Sequence, residues 1–215
     1  NAISGELWEA INENWLMIDE QLAKPVGENR VLETVATIRR AGTLARGALQ
    51  GSMLREEGYH FALTGMFIER ADAIARILDI KYYLLLPSLS YVGSSLDTGQ
   101  WDTVLRSVSG DRAYRWLNAA QVDARSICEF LILDDRFSRS LAFCHSELRA
   151  NLAALARIHG TEGQSNALMR DADMRLTNLS IDEIFDQGLH EFLVDFTSSN
   201  AAIGNAIAAD YRFLS

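Results

Sequence analysis

Along most of the chain apolar residues recur every three or four positions, the spacing that gathers them on one face of an α-helix. The longest such pattern runs from Gly58 to Pro87. At 100° per residue, Leu63, Phe67, Ala71, Ile74, Leu78, Tyr82 and Leu85 share one side. Gly65, Glu69, Asp72, Arg76, Asp79 and Tyr83 share the opposite one. Pro87 has no N–H and restricts the residue before it, so it ends the run. The pattern predicts one central helix over about 55–86, beginning as early as Ser52.

The remaining segments read as helices assembled around it. Ser4 to Lys24 places Leu7, Trp8, Ile11, Trp15, Ile18 and Leu22 at helical spacing behind Ser4 as an N-cap, and Pro25, Gly27 and Asn29 form a break. Arg30 to Gln50 gives a second helix through Val31, Val35, Ile38, Leu44 and Leu49. Ser88 to Gly99 is a Ser/Gly-rich loop, followed by a short helix from Trp101 to Val108. Asp111 to Leu133 is a long helix with Tyr114, Leu117, Val122, Ile127 and Leu131 inward. Helices over Ser140 to Ile158 and Ser165 to Thr177 come next. Ser180 and Glu183 then form a capping box that opens a final helix to about Phe213. No alternating Val/Ile/Thr-rich run occurs, so no strand is predicted. The fold class is all-α: one domain over 1–215, a multi-helix bundle with up-and-down connections and no β-sheet.

The polar side of the central helix carries a candidate site. Asp72 precedes Arg76 by four residues, the favourable order for a helical ion pair, and Asp79 follows three later. Glu69 lies three before Asp72, while Arg70 points about 100° away from Glu69, so each needs its own partner. Arg125 and Glu129 form a second pair on the Asp111–Leu133 helix. If the two helices pack together, Arg125 can meet Glu69 or Asp72, and Glu129 can meet Arg76 or Arg70. Two readings stand: a solvated face laced with ion pairs, and a polar seam that fixes helix pairing or holds a peptide-like ligand through its carboxylate or amine.

Composition narrows the function classes. Of 215 residues, 48% are hydrophobic, enough for a sizeable core. The net charge of −9, with no basic cluster interleaved with aromatics, argues against a nucleic-acid or anionic-membrane surface. Two cysteines, Cys128 and Cys144, suit buried thiols in a reduced, cytoplasmic protein. No apolar run reaches the length of about 18 residues that a membrane span needs, and no leader is recognisable. The chain enters a helical pattern almost at Asn1, which predicts a start inside a longer domain, with 1–215 as its C-terminal two-thirds or more.

Familiar chemistry is sparse. The sequence has no phosphate-binding glycine loop, no GxSxG elbow and no Cys/His zinc spacing, and no cofactor is expected. Cys144 and His145 are adjacent, so on a helix they do not face each other. Asp182, Asp186 and His190 stand at four-residue steps, and a metal held by Asp186 and His190 is the weaker alternative to a solvated acidic face. Carboxylate bundle sites pair Glu with Glu-x-x-His, and this row contains no ExxH.

FIERADAIARILD, continuing into IKYYLLLP, resembles the signature of the alpha-E family, bacterial helical domains named for a Glu-Arg motif, here Glu69-Arg70. SGELWEAINENWL, GQWDTVLRSVS, AYRWL, ICEFLILDDRFSRSLAFC and SIDEIFDQGLHEFL resemble further family segments in the expected order. The likeness implies a helical domain, an earlier Glu-Arg helix upstream of Asn1, and an apolar face left open where that helix would pack. It also implies partners through genome context: an ATP-grasp-type amide ligase and a transglutaminase-like peptidase. The resulting expectation is a non-catalytic binding or assembly module in peptide synthesis or modification. The alternative is an enzyme of that system whose acid–base carboxylates include Glu69 and Asp72.

Overall fold

The computed structural model describes residues 3–84, 94–118 and 122–213. Among the described residues the fold is all-α, with no strand. Ten helices follow in order: α1 Gly5–Leu22, α2 Glu28–Ser52, α3 Glu57–Leu84, α4 Ser95–Ser107 and α5 Asp111–Leu117. The second half holds α6 Ala124–Ile132, α7 Leu141–His159, α8 Gln164–Thr177, α9 Ile181–Gln187 and α10 Leu189–Asp210. They form two compact units, residues 1–60 and 61–215, with the boundary inside the first turn of α3.

The first unit is a helical hairpin. Ser4 caps α1 by accepting the Leu7 N–H, and its hydroxyl also meets that of Ser52 at 2.6 Å. Asn14 donates to the Ala41 carbonyl at 3.4 Å, and Gln21 donates to the Thr37 hydroxyl at 3.3 Å. That descending register makes α1 and α2 antiparallel. The seam between them is built from Leu7, Asn14, Thr34, Thr37, Ala41 and Leu49. Small and hydrogen-bonded residues let two backbones approach closely, so the bulkiest side chains stay outside.

The apolar residues at helical spacing on α1 and α2 are mostly not the buried ones. Trp8, Ile11, Trp15 and Leu22 on α1 are exposed, as are Val31, Val35, Ile38 and Leu44 on α2. On each helix the main apolar stripe, which leaves out Leu44, lies about 80° around from the seam. In an antiparallel pair these rotations turn both stripes to the same side. The hairpin therefore presents one continuous apolar face.

The second unit has the main core. The predicted stripe of α3 is buried at Leu63, Phe67, Ala71, Ile74 and Leu78; Tyr82, Tyr83, Leu85 and the Pro87 stop lie outside the described side chains and residues. Asn200 on α10 donates to the Ile68 carbonyl at 2.9 Å, Phe61 stacks edge-on against Tyr211, and Phe67 meets Phe143 of α7. Around α3, α7 packs on α8, α8 on α10, and α4 on α5 and α6. Leu105, Ile127, Leu131, Leu148, Leu152 and Ile203 fill the interior.

Three boundaries differ from the expectation. The helix expected over Asp111–Leu133 is two: α5 ends at Leu117, and α6 starts afresh where Asp123 accepts the Ser126 N–H at 3.0 Å. Of the loop expected over Ser88–Gly99, residues 95–99 are helical, because Ser94 caps α4 by accepting the Asp97 N–H; 88–93 lie outside the described residues. The final helix divides at Gly188, whose φ of 100° no other residue type adopts readily. The Ser180/Glu183 capping box does open α9.

Candidate functional site

The charged row of α3 is placed by helix geometry opposite the buried stripe. Glu69 and Arg76 are exposed, and Asp72 and Asp79 are half-buried. Arg76 grips Asp72 with two hydrogen bonds, 2.6 and 3.2 Å, along the helix. Asp79 reaches across to α10, where its carboxylate lies 2.5 Å from His190 Nδ1. That hydrogen bond raises the His190 pKa above the ordinary imidazole value. Arg70 turns the other way. Its guanidinium lies over the Phe67 ring and donates at 2.9 Å to the Ser138 carbonyl in the α6–α7 connection.

The two expected charge pairs do not meet across helices as the sequence suggested. Arg125 pairs with Asp182 at the start of α9 and lies over the Phe185 ring, away from Glu69 and Asp72. Glu129 is exposed and lines a cleft with Asn118, Asp134 and Arg136, and Arg136 is already held by Asp134. The four-residue row Asp182, Asp186, His190 is interrupted, because Gly188 ends α9 and starts α10 in a new direction. Among the described residues no group of three or more His, Cys, Asp or Glu could hold a metal ion.

Two arrangements were missed by the sequence reading. In the first, Lys81 on α3 donates at 2.8 Å to Asp97 on α4, and both side chains are almost wholly buried. The ammonium also lies 4.7 Å from the Trp101 ring centroid. A buried pair of this kind holds two helices in one relative register. Its sequence signal was Ser94-x-x-Asp97, a capping pattern inside what reads as loop. Near it, burial pushes the Cys128 thiol far above its usual range, against the opposing pull of Lys81. Burial likewise pushes Cys144 up to about 12. Both cysteines are free and buried.

The second is His145. It sits on the apolar stripe of α7 with Leu141, Leu148 and Leu152, is 1% exposed, and stacks on Phe196 of α10 at 4.7 Å. Neither ring nitrogen has a hydrogen-bond partner, and burial pushes its pKa down to about 4. The imidazole lines a cleft of about 290 Å³ between α7, α8 and α10. A histidine in a leucine stripe was the available signal.

Residues 1–212 match the family Alpha-E, described as a predicted alpha-helical domain with a conserved ER motif. The chain belongs to the Alpha-E family. Glu69–Arg70 is the one adjacent Glu-Arg in its sequence. The structure gives the two halves different work. Arg70 ties α3 to the α6–α7 connection, and Glu69 faces solvent one turn before Asp72. No curated protein and no solved structure matches the chain. Among the described residues no helix is long and apolar enough to cross a membrane.

Proposed function

We propose that this Alpha-E chain is a helical binding and assembly module of a peptide-synthesising or peptide-modifying system, acting with an ATP-grasp-type amide ligase and a transglutaminase-like peptidase. The observation that carries the assembly role is the apolar face of the α1–α2 hairpin. Trp8, Trp15, Ile11, Val31, Val35 and Ile38 stand exposed on one side of a hairpin whose own seam needs none of them. A contiguous apolar face of this kind marks an interaction surface rather than ordinary solvent-facing protein. Its flanks are polarised. Five acids and no Lys or Arg lie on α1, whereas α2 carries four arginines against two acids. The occupant that fits is a surface of the ligase with an apolar centre and charges of the mirrored order, which supplies orientation as well as affinity.

The charged row of α3 supports a structural part in this reading. Arg76 is spent on Asp72, Asp79 on His190, and Arg70 on a backbone carbonyl. The test is co-expression with an ATP-grasp-type ligase and a transglutaminase-like protein from the same organism, followed by size-exclusion chromatography. Co-elution with the ligase, lost in a Trp8→Glu/Trp15→Glu variant, is the expected result. Elution apart from both proteins, self-association through this face alone, or peptide ligation or hydrolysis by the purified chain that disappears in Glu69→Gln would each overturn it.

A further inference from the structure

We propose that the cleft between α7, α8 and α10 is a binding site for a free amino acid with a neutral hydrogen-bonding side chain, taken up as its zwitterion. The floor is His145, whose two ring nitrogens are buried and unpartnered. A buried polar group without a partner is uncommon and calls for an occupant that completes it. A neutral imidazole offers one N–H donor and one bare nitrogen acceptor. Burial keeps it in that form, since its pKa is pushed down to about 4. A hydroxyl or carboxamide, itself both donor and acceptor, complements it; a methyl group does not.

The walls and rim narrow the class further. Leu176 of α8 and Phe196 of α10 give the interior an apolar lining suited to the methylenes or ring of a side chain. At the mouth, Arg175 in the last turn of α8 supplies a cation. Glu191 and Asp195, one turn apart on α10, supply two carboxylates. Opposed charges at one mouth match an α-carboxylate and an α-ammonium carried on a single carbon. The volume of about 290 Å³ holds one amino acid and excludes a folded peptide segment. These groups all belong to residues 61–215 and none to the α1–α2 hairpin, so the site does not depend on the partner named above.

The test is calorimetric titration of the full chain with L-glutamine, L-tyrosine and L-leucine. Glutamine or tyrosine is expected to bind at least about tenfold more tightly than leucine. Arg175→Ala, a rim change at an exposed residue, is expected to weaken that binding by about tenfold or more. His145→Phe keeps the ring stack on Phe196 and removes both unpaired nitrogens, so it is expected to fold at least as well as wild type while losing the preference over leucine. A histidine that only fills the core would leave ligand preference unchanged in His145→Phe. That outcome, absence of binding by the wild-type chain, or equal affinity for leucine and glutamine would overturn the proposal. Binding of glutamine without any ligase interaction would uphold this site and sink the assembly reading.

Discussion

At the scale of single residues, the groups that matter most are buried and polar. Lys81 and Asp97 are desolvated together, and removing one leaves the other charged in an apolar interior. Lys81→Met is expected to cost about 3–5 kcal/mol in urea unfolding. The exposed Arg76–Asp72 pair behaves differently: Arg76→Ala is expected to cost no more than about 1 kcal/mol in the same measurement. His145 sets an acid limb. Its pKa falls from 6.5 when unfolded to about 4 when folded, so between those values the unfolded chain binds a proton that the folded chain refuses. Stability therefore drops as the pH falls through that window, by up to roughly 3 kcal/mol. His190 has the opposite sign. Its pKa is raised by Asp79, so its contribution is present below the unfolded value of 6.5 and is lost as pH rises through the folded value. Urea melts of wild type and His145→Phe across this range check the assignment; an acid limb of unchanged depth in His145→Phe would refute it.

At the scale of elements, the breaks between helices place the site. Gly188 turns α9 into α10 at φ 100°, and a Cβ there would collide with the Glu191 carboxylate, a rim group of the cleft. Gly188→Ala is expected to destabilise the chain by about 1–2 kcal/mol and to displace Glu191, weakening glutamine binding in the same calorimetric assay. Full stability with unchanged binding would show that the break is not what sets the rim. Gly160 ends α7 in the left-handed conformation, and its N–H closes on the Ala156 carbonyl, a terminus that glycine permits without strain. The Glu69–Arg70 pair also belongs to this scale. Arg70 fastens α3 to the α6–α7 connection, so Arg70→Ala is expected to cost about 1–3 kcal/mol, and Glu69→Gln at an exposed position well under 1 kcal/mol, both read from thermal unfolding.

For the whole molecule, the two units differ in how they use apolar side chains. Residues 61–215 bury theirs around α3 and α7, while the 1–60 hairpin buries small and polar residues and leaves its tryptophans outside. Because Trp8 and Trp15 are 56% and 60% exposed, replacing both with Glu is expected to leave the unfolding midpoint nearly unchanged while abolishing co-elution with the ligase. A large loss of stability in that variant would mean that the face is a core rather than a docking surface.

Periodicity alone determined that the chain is all-α. It also located the buried stripe from Leu63 to Leu78, the Ser4 cap and the Ser180/Glu183 box, because each depends on residues within a turn or two of one another. The sequence likewise carried the Asp72–Arg76 pair, four residues apart on one helix. Tertiary structure alone decided what Asp79, Arg125, Lys81 and His145 meet, since their partners lie on other helices at separations that no local pattern encodes. It also decided which stripe of α1 and α2 faces inward. A helical moment records that one side is apolar but not which neighbour covers it, and close packing of two helices favours small side chains over large ones. On the charged row of α3, Arg76 is tied to Asp72 and Asp79 to His190, while Glu69 faces solvent. The cleft came from a histidine in a leucine stripe, a position whose meaning appears only once α8 and α10 close around it.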